Sequence, residues 1–271
     1  MSAAKAYAKI NLGLVVGPLR TDGKHEIVTV LQRVDLHDDI QLEPAPTLAV
    51  TGFADDTIVR AALESLADYV GVTPGWAVHI DKRIPVAAGL GGGSSDAAAA
   101  LELANASLAE PLDRASLHSL AARLGADVPF FLRAGSHFAR GDGSELEEIL
   151  LPMDHAVVLV VPEAETKSAT ADVYRAFDER DGAAGFDARA AAFLAALEGV
   201  ASPRDLGALP PNDLASSHLS SELAELGAFR SDVSGAGPTV YGLFEDAEEA
   251  RTAADALARA GRTFVTRPVA R

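Results

Sequence analysis

The sequence contains no cysteine, which excludes disulfide bonds, thiolate metal ligands and a cysteine nucleophile. A chain without cysteine suits a reducing compartment, and we therefore expect a cytoplasmic protein. Long apolar runs are also missing, because Lys5 and Lys9 interrupt the apolar opening segment and no other stretch approaches the roughly 18 apolar residues of a membrane span. We expect neither a signal peptide nor a membrane partner.

Positive charge is scarce as well: 23 lysines and arginines stand against 39 aspartates and glutamates, for a net charge of −16. Nucleic-acid binding depends on many cationic contacts to phosphates, so we expect no nucleic-acid partner. A small anionic ligand remains compatible with this balance if a few basic residues lie together. With 271 residues, of which 48% are hydrophobic, the chain can bury a large core.

The hydrophobic pattern predicts an α+β protein with strands and helices in both halves of the chain. Strands are predicted over 5–17, 27–42, 76–82, 130–140, 156–162, both sides of a loop in 232–244, and 262–269. Helices are predicted over 55–70, 94–106, 113–124, 168–180, 186–198, 213–227 and 246–260. We expect Gly125 to end the third helix in a left-handed conformation. The strand 156–162 opens a second half, so we predict two domains, residues 1–151 and 152–271.

One segment, PVAAGLGGGSSDAAAAL at residues 85–101, places four glycines within five positions between a predicted strand and a predicted helix. Bare backbone amides can approach a ligand closely, and a helix start adds unpaired N–H groups and a positive dipole end. The pattern therefore predicts a phosphate cradle, with Ser94 and Ser95 as helix caps that also offer hydroxyls. A flexible turn with a serine cap is the alternative. No P-loop lysine follows Gly93, and the spacing misses the Rossmann fingerprint.

The same stretch resembles the glycine-rich signature of the GHMP kinases, which phosphorylate small alcohols. Its three glycines before Ser-Ser-Asp resemble the branch that acts on 4-diphosphocytidyl-2-C-methyl-D-erythritol. Other segments similar to that branch occur in the family's order: AKINLGL at 8–14, DGKHEI at 22–27, LGADVPFFL at 124–132, NDL at 212–214 and SGAGPTVYGLF at 234–244. The resemblance spans nearly the whole chain.

This resemblance implies a GHMP kinase fold with an N-terminal ribosomal-protein-S5-like α/β domain, a C-terminal ferredoxin-like α/β domain and an active site in the cleft between them. It implies transfer of the γ-phosphoryl group of ATP, with Mg²⁺, to the 2-hydroxyl of that alcohol in non-mevalonate isoprenoid synthesis. A monomer or weak homodimer is expected, and no residue is assigned as a metal ligand. The residues expected to contact ATP are Pro85, Ala88, Gly89, Leu90, Gly91, Gly92, Gly93, Ser94 and Ser95.

By the same resemblance, Asp127 is the candidate catalytic base and Lys9 lies beside it. Alignment of the acceptor hydroxyl can matter more than basicity, because proton loss can come late in a loose phosphoryl-transfer transition state. Asn11, two residues after Lys9, shares its strand face and could hydrogen-bond the substrate. From the residues alone, Asp127 also fits a turn-capping aspartate, and Lys9 a strand-edge lysine that points to water.

Substrate-binding residues are expected in both halves. By resemblance His25 hydrogen-bonds the cytosine, Thr170 contacts the substrate, and Tyr174 stacks on the base. Gly235 and Gly237 belong to a second glycine-rich turn, which closes over the site. A core position in its own helix is the alternative for Tyr174.

Lys24 stands where the family has an aromatic residue. A stacking platform worth about 1 to 3 kcal/mol per base is therefore missing, and Lys24 could contact the substrate diphosphate instead. This departure keeps two other functions open, a GHMP-type kinase for a different small alcohol and a non-catalytic nucleotide-binding protein of the same fold. We also expect Asp96 to face away from the phosphates or to hold magnesium through water, and Arg140 to be near phosphate or in solvent.

Overall fold

Two β-sheets with helices packed against them form the fold in the computed structural model, which describes residues 1–56, 58–163 and 170–270. The N-terminal sheet contains β1 (Ser2–Leu19), β2 (His25–Pro44), β3 (Ala49–Thr51), β4 (Trp76–Asp81), β5 (Ser136–Gly141) and β6 (Glu145–Ile149). The long strands β1 and β2 pair antiparallel, and β4 and β5 pair with different parts of β2. β3 pairs parallel with β4, while β6 pairs antiparallel with β5.

Four helical segments accompany this sheet in the described part of the chain: α1 (Ile58–Val70), α2 (Gly92–Ser107), α3 (Arg114–Leu124) and α4 (Val128–Phe131). The alanines that follow Asp96 in α2 are buried, and their small side chains allow α2 to pack closely between α1 and β1. The glycine loop, residues 85–95, therefore joins a sheet strand to a helix that is held in the core.

The C-terminal sheet has the order β10-β7-β9-β8. Its segments in chain order are β7 (Ala156–Pro162), α5 (Thr170–Glu179), α6 (Phe186–Glu198), a 3-10 helix (Pro203–Ala208), α7 (His218–Glu225), β8 (Arg230–Val233), β9 (Val240–Phe244), α8 (Ala247–Ala256) and β10 (Gly261–Thr266). Its neighbouring strands pair antiparallel. This strand order, with helices between β7 and β8 and between β9 and β10, is ferredoxin-like and confirms that expectation.

The two halves share a hydrophobic cluster, which brings their sheets together around a cleft. It includes Ile10 of β1, Leu90 of the glycine loop and Tyr241 of β9, all fully or almost fully buried. The α+β prediction is therefore confirmed. Within the described residues, no helix combines the length and apolarity needed to cross a membrane.

Several local predictions were wrong, each for a local physical reason. Phe130 and Phe131 lie in helix α4, because Pro129 presets a helical φ near its first turn. Gly125 ends α3 with an extended φ of 169° where we expected a left-handed one. Helix α2 begins at Gly92, so Ser94 and Ser95 lie in its first turn and do not cap it.

The remaining differences concern segment ends and short strands. Helix 213–227 is shorter, since α7 covers His218–Glu225 and residues 212–214 run beside β1. The strands β3 and β6 were missed because one is three residues long and the other is mostly acidic. Residues 57, 168 and 169, which the predicted helices include, lie outside the described residues.

Candidate active site

A cavity of 500 Å³ lies in the cleft, bounded by the strands β1 and β2, the glycine loop, the start of α4, helix α5 and the SGAGP turn, residues 234–238. We call it the main cavity. Ten of the predicted site residues line it: Lys9, Asn11, Gly89, Gly91, Ser94, Asp127, Thr170, Tyr174, Gly235 and Gly237. Residues from the first and last thirds of the sequence therefore meet around one space.

Lys9 and Asp127 come together on one wall of the main cavity. Lys9 lies on β1 and is 4% exposed, and its Nζ is 3.5 Å from Oδ2 of Asp127 at the start of α4. The Asp127 side chain is 38% exposed and so remains open to the cavity. Lys9 is thus not a strand-edge lysine in water, and Asp127 makes no capping hydrogen bond to α4. A buried ammonium beside an accessible carboxylate can hold an acceptor hydroxyl and neutralise developing charge.

Polar neighbours fix the position of Lys9. Its Nζ donates a hydrogen bond of 2.6 Å to Oδ1 of Asn11, which confirms that the two side chains share a strand face. Asn11 Nδ2 donates to Thr29 Oγ1 at 2.9 Å, and that hydroxyl donates to the carbonyl of Gly13 at 2.6 Å. This chain of hydrogen bonds leaves the side chain of Lys9 little rotational freedom. Thr29, which completes the chain, was not among the predicted site residues.

The glycine loop and the SGAGP turn contact each other through their backbones. Gly89 has a φ of +81°, and a Cβ added to it would lie 2.4 Å from the carbonyl oxygen of Ser234 and 2.9 Å from that of Gly237. Ser234 Oγ donates to the carbonyl of Gly89 at 3.0 Å. Only glycine suits this position, since both its backbone conformation and the space around it exclude a side chain.

The glycine loop also borders a second cavity of 320 Å³, which is lined by Pro85, Gly92 and Gly93. The two cavities share Gly89, Gly91 and Ser94 as lining residues. The loop is therefore a partition with accessible backbone on both sides, which suits an extended triphosphate with a nucleoside at one end.

Three predicted loop residues have supporting positions instead. Ala88 and Leu90 are buried, and their carbonyls accept hydrogen bonds from the backbone N–H groups of Thr239, at 3.2 Å, and Lys9, at 2.9 Å. Ser95 is buried on another side of α2 and lines neither the main cavity nor the second cavity. Leu90 also lines neither of these two cavities, whereas Ala88 lines the second cavity. Contact of these three residues with ATP stays a prediction.

A buried charge triad, formed by Asp38, Lys82 and Asp96, supports the glycine loop from beneath. Lys82 Nζ is 2.6 Å from Asp38 Oδ2 and 2.6 Å from Asp96 Oδ2. Burial, together with the nearby charge of Asp38, raises the pKa of Asp96 to about 7 although Lys82 opposes the shift. Asp38 also accepts a hydrogen bond of 2.8 Å from the backbone N–H of Ile84. Asp96 therefore faces the interior, away from the cavities.

Another part of the main cavity is lined by Tyr174 of α5, whereas the predicted residue His25 packs on that tyrosine and does not itself line the cavity. The rings of His25 and Tyr174 stack with centroids 4.9 Å apart, and Nε2 of His25 lies 2.8 Å from Oδ1 of Asp178. Tyr174 is half-buried, and loss of hydration with the nearby charge of Asp127 raises its pKa to about 12. Asp178 is a neighbour that the sequence analysis missed, because only α5 packing against β2 brings it to His25.

Lys24 lies beside this part of the cavity and pairs with Asp142, a second residue that the sequence analysis missed. Burial alone would raise the pKa of Asp142, but hydrogen bonds from Lys24 and Ser144 outweigh it and lower that pKa to about 2. Asp142 lines the main cavity, so the ion pair places Lys24 near its mouth. Arg140, in contrast, is exposed and 3.8 Å from Glu147, outside the lining of this cavity.

The NDL segment, residues 212–214, holds the SGAGP turn against β1. Asn212 Nδ2 donates to the carbonyls of Val233, at 2.9 Å, and Gly235, at 2.6 Å. Asp213 accepts a hydrogen bond of 2.8 Å from the backbone N–H of Val16. The NDL segment therefore fixes the SGAGP turn in its position beside the glycine loop.

Comparison with known proteins agrees with this geometry. Residues 57–135 match the family model of the GHMP kinases N terminal domain, and residues 219–263 match that of the GHMP kinases C terminal. The 4-diphosphocytidyl-2-C-methyl-D-erythritol kinase of Pelotomaculum thermopropionicum is 40% identical over 269 residues, which cover 93% of this chain and 92% of that relative. The enzyme of the same name from Chlorobium limicola is 36% identical, covering 98% and 96%.

A solved structure shows the same relationship in three dimensions. The crystal structure of a 4-(cytidine 5'-diphospho)-2C-methyl-D-erythritol kinase matches with a TM-score of 0.80 and 32% sequence identity, covering 98% of this chain and 99% of that one. Sequence similarity, fold and the arrangement of the cleft lead to one conclusion: the chain belongs to the GHMP kinase family.

Proposed function

We propose that this kinase transfers the γ-phosphoryl group of ATP to the 2-hydroxyl of 4-diphosphocytidyl-2-C-methyl-D-erythritol, in non-mevalonate isoprenoid synthesis. The observation that carries the proposal is the main cavity itself, which is lined by Lys9, Asp127, the glycine loop and Tyr174, with His25 stacked on Tyr174. The relatives from Chlorobium limicola and Pelotomaculum thermopropionicum bear the name of this kinase and match nearly the whole chain.

The donor side of the reaction belongs to the glycine loop. Backbone N–H groups at the start of α2 and the positive end of its dipole would hold the β- and γ-phosphates of ATP. Ser94 lines both cavities and would add a hydroxyl at the junction. Phosphoryl transfer needs this positioning and charge stabilisation more than covalent help from the protein.

The acceptor side belongs to Asp127 and Lys9. Asp127 would align the acceptor hydroxyl and take its proton as the bond to phosphorus forms, while Lys9 stabilises the developing negative charge. Asn11 would keep the ammonium of Lys9 directed at the reacting oxygens through their 2.6 Å hydrogen bond. Lys9, Asn11 and Asp127 all line the main cavity, which supports these roles.

Mg²⁺ would accompany ATP and supply positive charge beside its phosphates. The hydroxyl of Ser94, which lines the main cavity, is an oxygen donor of the kind that this ion prefers. Among the described residues, no group of three or more histidines and carboxylates could hold a metal. Such surroundings fit an ion coordinated mainly by phosphate and water, which neutralises charge on the transferred group.

Substrate recognition would fall to the part of the main cavity around Tyr174. His25 would hydrogen-bond the cytosine, and Tyr174 would stack on it from α5. Gly235 and Gly237 would contribute close backbone approach, and Thr170 a hydroxyl. Lys24, paired with Asp142 at the mouth, could turn to the substrate diphosphate. The domain division after residue 151 and the monomeric or weakly dimeric state belong to the same proposal.

Purified protein tests the proposal directly. We expect ATP-dependent phosphorylation of 4-diphosphocytidyl-2-C-methyl-D-erythritol, followed by ³¹P NMR, with much lower kcat/KM for mevalonate, homoserine and galactose. Full activity on one of those alcohols with none on the cytidine compound would favour a kinase for a different acceptor. ATP binding without phosphorylation of any acceptor would indicate a non-catalytic protein.

A further inference from the structure

A third cavity, of 490 Å³, lies outside the cleft, between the first residues of β1, helix α2 and the segment that follows α4. We call it the basic cavity. It shares no lining residue with the main cavity and is of nearly the same volume. Its charged lining residues are Lys5, Arg33, Arg114, Arg133 and Glu102. In a chain with a net charge of −16, four cations and one carboxylate around a single space are unexpected.

Three of these cations are available to a ligand. Lys5, Arg114 and Arg133 are exposed, and within the described part of the chain their side chains form no ion pair or hydrogen bond. Cations elsewhere in this acidic protein commonly pair with a carboxylate, as Lys24, Lys82 and Arg83 do. Unpaired like charges that face one space repel each other, and a bound anion would relieve that repulsion.

Arg33 forms the rigid part of the basic cavity. It is 3% exposed, its guanidinium lies 4.8 Å from the ring centre of Phe130, and its Nη2 donates to the carbonyl of Phe130 at 2.8 Å. Arg33 therefore adds positive charge at a fixed position in the wall of the basic cavity. Tyr7 adds an aromatic surface to the lining.

Two neighbouring histidines have lowered pKa values, mainly because they are buried and partly because of these cations. Burial, with the charges of Arg133 and Arg33, lowers the pKa of His137 to about 4. Burial and Arg133 also lower the pKa of His118. Both histidines are therefore neutral near pH 7 and leave the arginines as the local charge.

We propose that the basic cavity is a second ligand site, separate from the cleft, which binds a small molecule carrying a phosphate or diphosphate group. The cations suit phosphate oxygens, and the volume exceeds that of inorganic phosphate, so a phosphorylated organic molecule fits better than the ion alone. Phe131 lines this cavity, and a Cβ on Gly91 would lie 2.9 Å from its Cζ, so one aromatic ring separates the ligand site from the glycine loop.

Calorimetric titration with inorganic pyrophosphate tests the site. The full chain is first saturated with a non-hydrolysable ATP analogue, which fills the nucleotide side of the cleft, and salt is kept at about 0.15 M to screen non-specific attraction. We expect pyrophosphate to bind in addition to the analogue, with at least one equivalent bound at the basic cavity. The double variant Arg114→Gln with Arg133→Gln should weaken that binding about tenfold or more, since each removes a charged hydrogen-bond donor.

The matched control is the double variant Arg251→Gln with Arg259→Gln, two exposed arginines in and just after α8, which changes net charge equally. It should bind pyrophosphate as the unaltered protein does. Equal affinity in both double variants, or no binding beyond the analogue, would overturn the proposal. If the first double variant unfolds at a lower temperature, the single variant Lys5→Gln provides the same comparison, because Lys5 is an exposed residue near the start of β1.

Discussion

The two ends of the main cavity are built from different parts of the polypeptide. At the donor end, the glycine loop presents backbone, and contacts such as Gly89 with Ser234 leave no room for a side chain. At the other end, where we propose that the alcohol is recognised and which we call the acceptor end, Tyr174 lines the cavity and stacks on His25 from the other half of the chain. A backbone site binds what all nucleoside triphosphates share, whereas a side-chain site can distinguish one acceptor from another.

The same contrast appears in how each end is supported. The donor end rests on the charge triad, whose two carboxylates are fully buried around Lys82. The acceptor end rests on the more exposed pairs of Lys24 with Asp142 and His25 with Asp178. We therefore expect changes at the donor end to affect folding and ATP binding together, and changes at the acceptor end to affect mainly the choice and affinity of the alcohol.

The largest expected effect is at Asp127, the proposed catalytic base, which lines the main cavity beside Lys9. Asp127→Asn should lower kcat about a thousandfold, since it removes the group that aligns and deprotonates the hydroxyl, while ATP still binds. Rapid-quench kinetics and calorimetry with ATP measure the two quantities. The control, Asp113→Asn, replaces the N-cap of α3 with another good cap and should keep full kcat. Parallel loss of ATP binding in Asp127→Asn would contradict the assigned role.

The donor end should be intolerant of a single methyl group. Gly89→Ala should lower the free energy of unfolding by about 3 kcal/mol, since it combines left-handed strain with overlap on two backbone carbonyls. Urea denaturation measures this. Gly71 has a φ of +71° and nothing within 4 Å of an added Cβ, so Gly71→Ala isolates the strain and should cost about 1 kcal/mol. If both variants lowered the free energy of unfolding equally, the contact between the glycine loop and the SGAGP turn would be loose enough to accept a methyl group.

The acceptor end should respond in substrate affinity alone. Tyr174→Leu should raise KM for the cytidine substrate about tenfold, because one stacked aromatic contributes about 1 to 3 kcal/mol, with KM for ATP unchanged. Steady-state kinetics with each substrate varied in turn gives both values. The exposed Tyr69 provides the control variant Tyr69→Leu, which should change neither. If Tyr174→Leu raised KM for ATP by the same factor, the donor and acceptor ends of the main cavity would not bind their ligands independently.

The smallest expected effect is a loss of stability at low pH that depends on Asp142. The pKa of Asp142 is lowered to about 2, so its contribution to stability is complete above about pH 4 and is lost as pH falls towards 2. Because the pair is partly solvated, we expect a loss of about 1 kcal/mol that is absent in Asp142→Asn. Unfolding by urea between pH 2 and 5 measures it. The raised pKa of Asp96 has the opposite effect on stability. The contribution of Asp96 to the free energy of unfolding is complete below about pH 4 and is lost as pH rises to about 7.

Much of the donor end was predictable from local sequence. The excess of glycine before a helix indicated bare backbone at a helix start, and the structure shows positive φ at Gly89 and Gly91. The start of α2 was misplaced by two residues because serine is the commoner cap, whereas Gly91 occupies that position here. The supporting triad was not predicted, since nothing local to Lys82 indicates that Asp38 and Asp96 share its ammonium.

The acceptor end was predictable only through resemblance to a family. His25 and Tyr174 were expected to act on the same base, but no spacing in the sequence showed that their rings would lie 4.9 Å apart. Asp178 and Asp142 escaped notice because their roles depend on α5 and on the turn after β5, which reach the cavity only when the sheets pack. The same holds for the basic cavity, whose cations come from four separate segments.

By itself the sequence determined what acts within a few residues: where glycine permits a left-handed turn, where α2 can pack closely through alanine, and where Lys9 and Asn11 share a strand face. Only the tertiary structure decided that Lys9 and Asp127 would stand 3.5 Å apart and that Ser95 would turn away from the cleft. The physical reason is that backbone preference acts locally, whereas the approach of distant side chains follows from the burial of a core shared by two sheets.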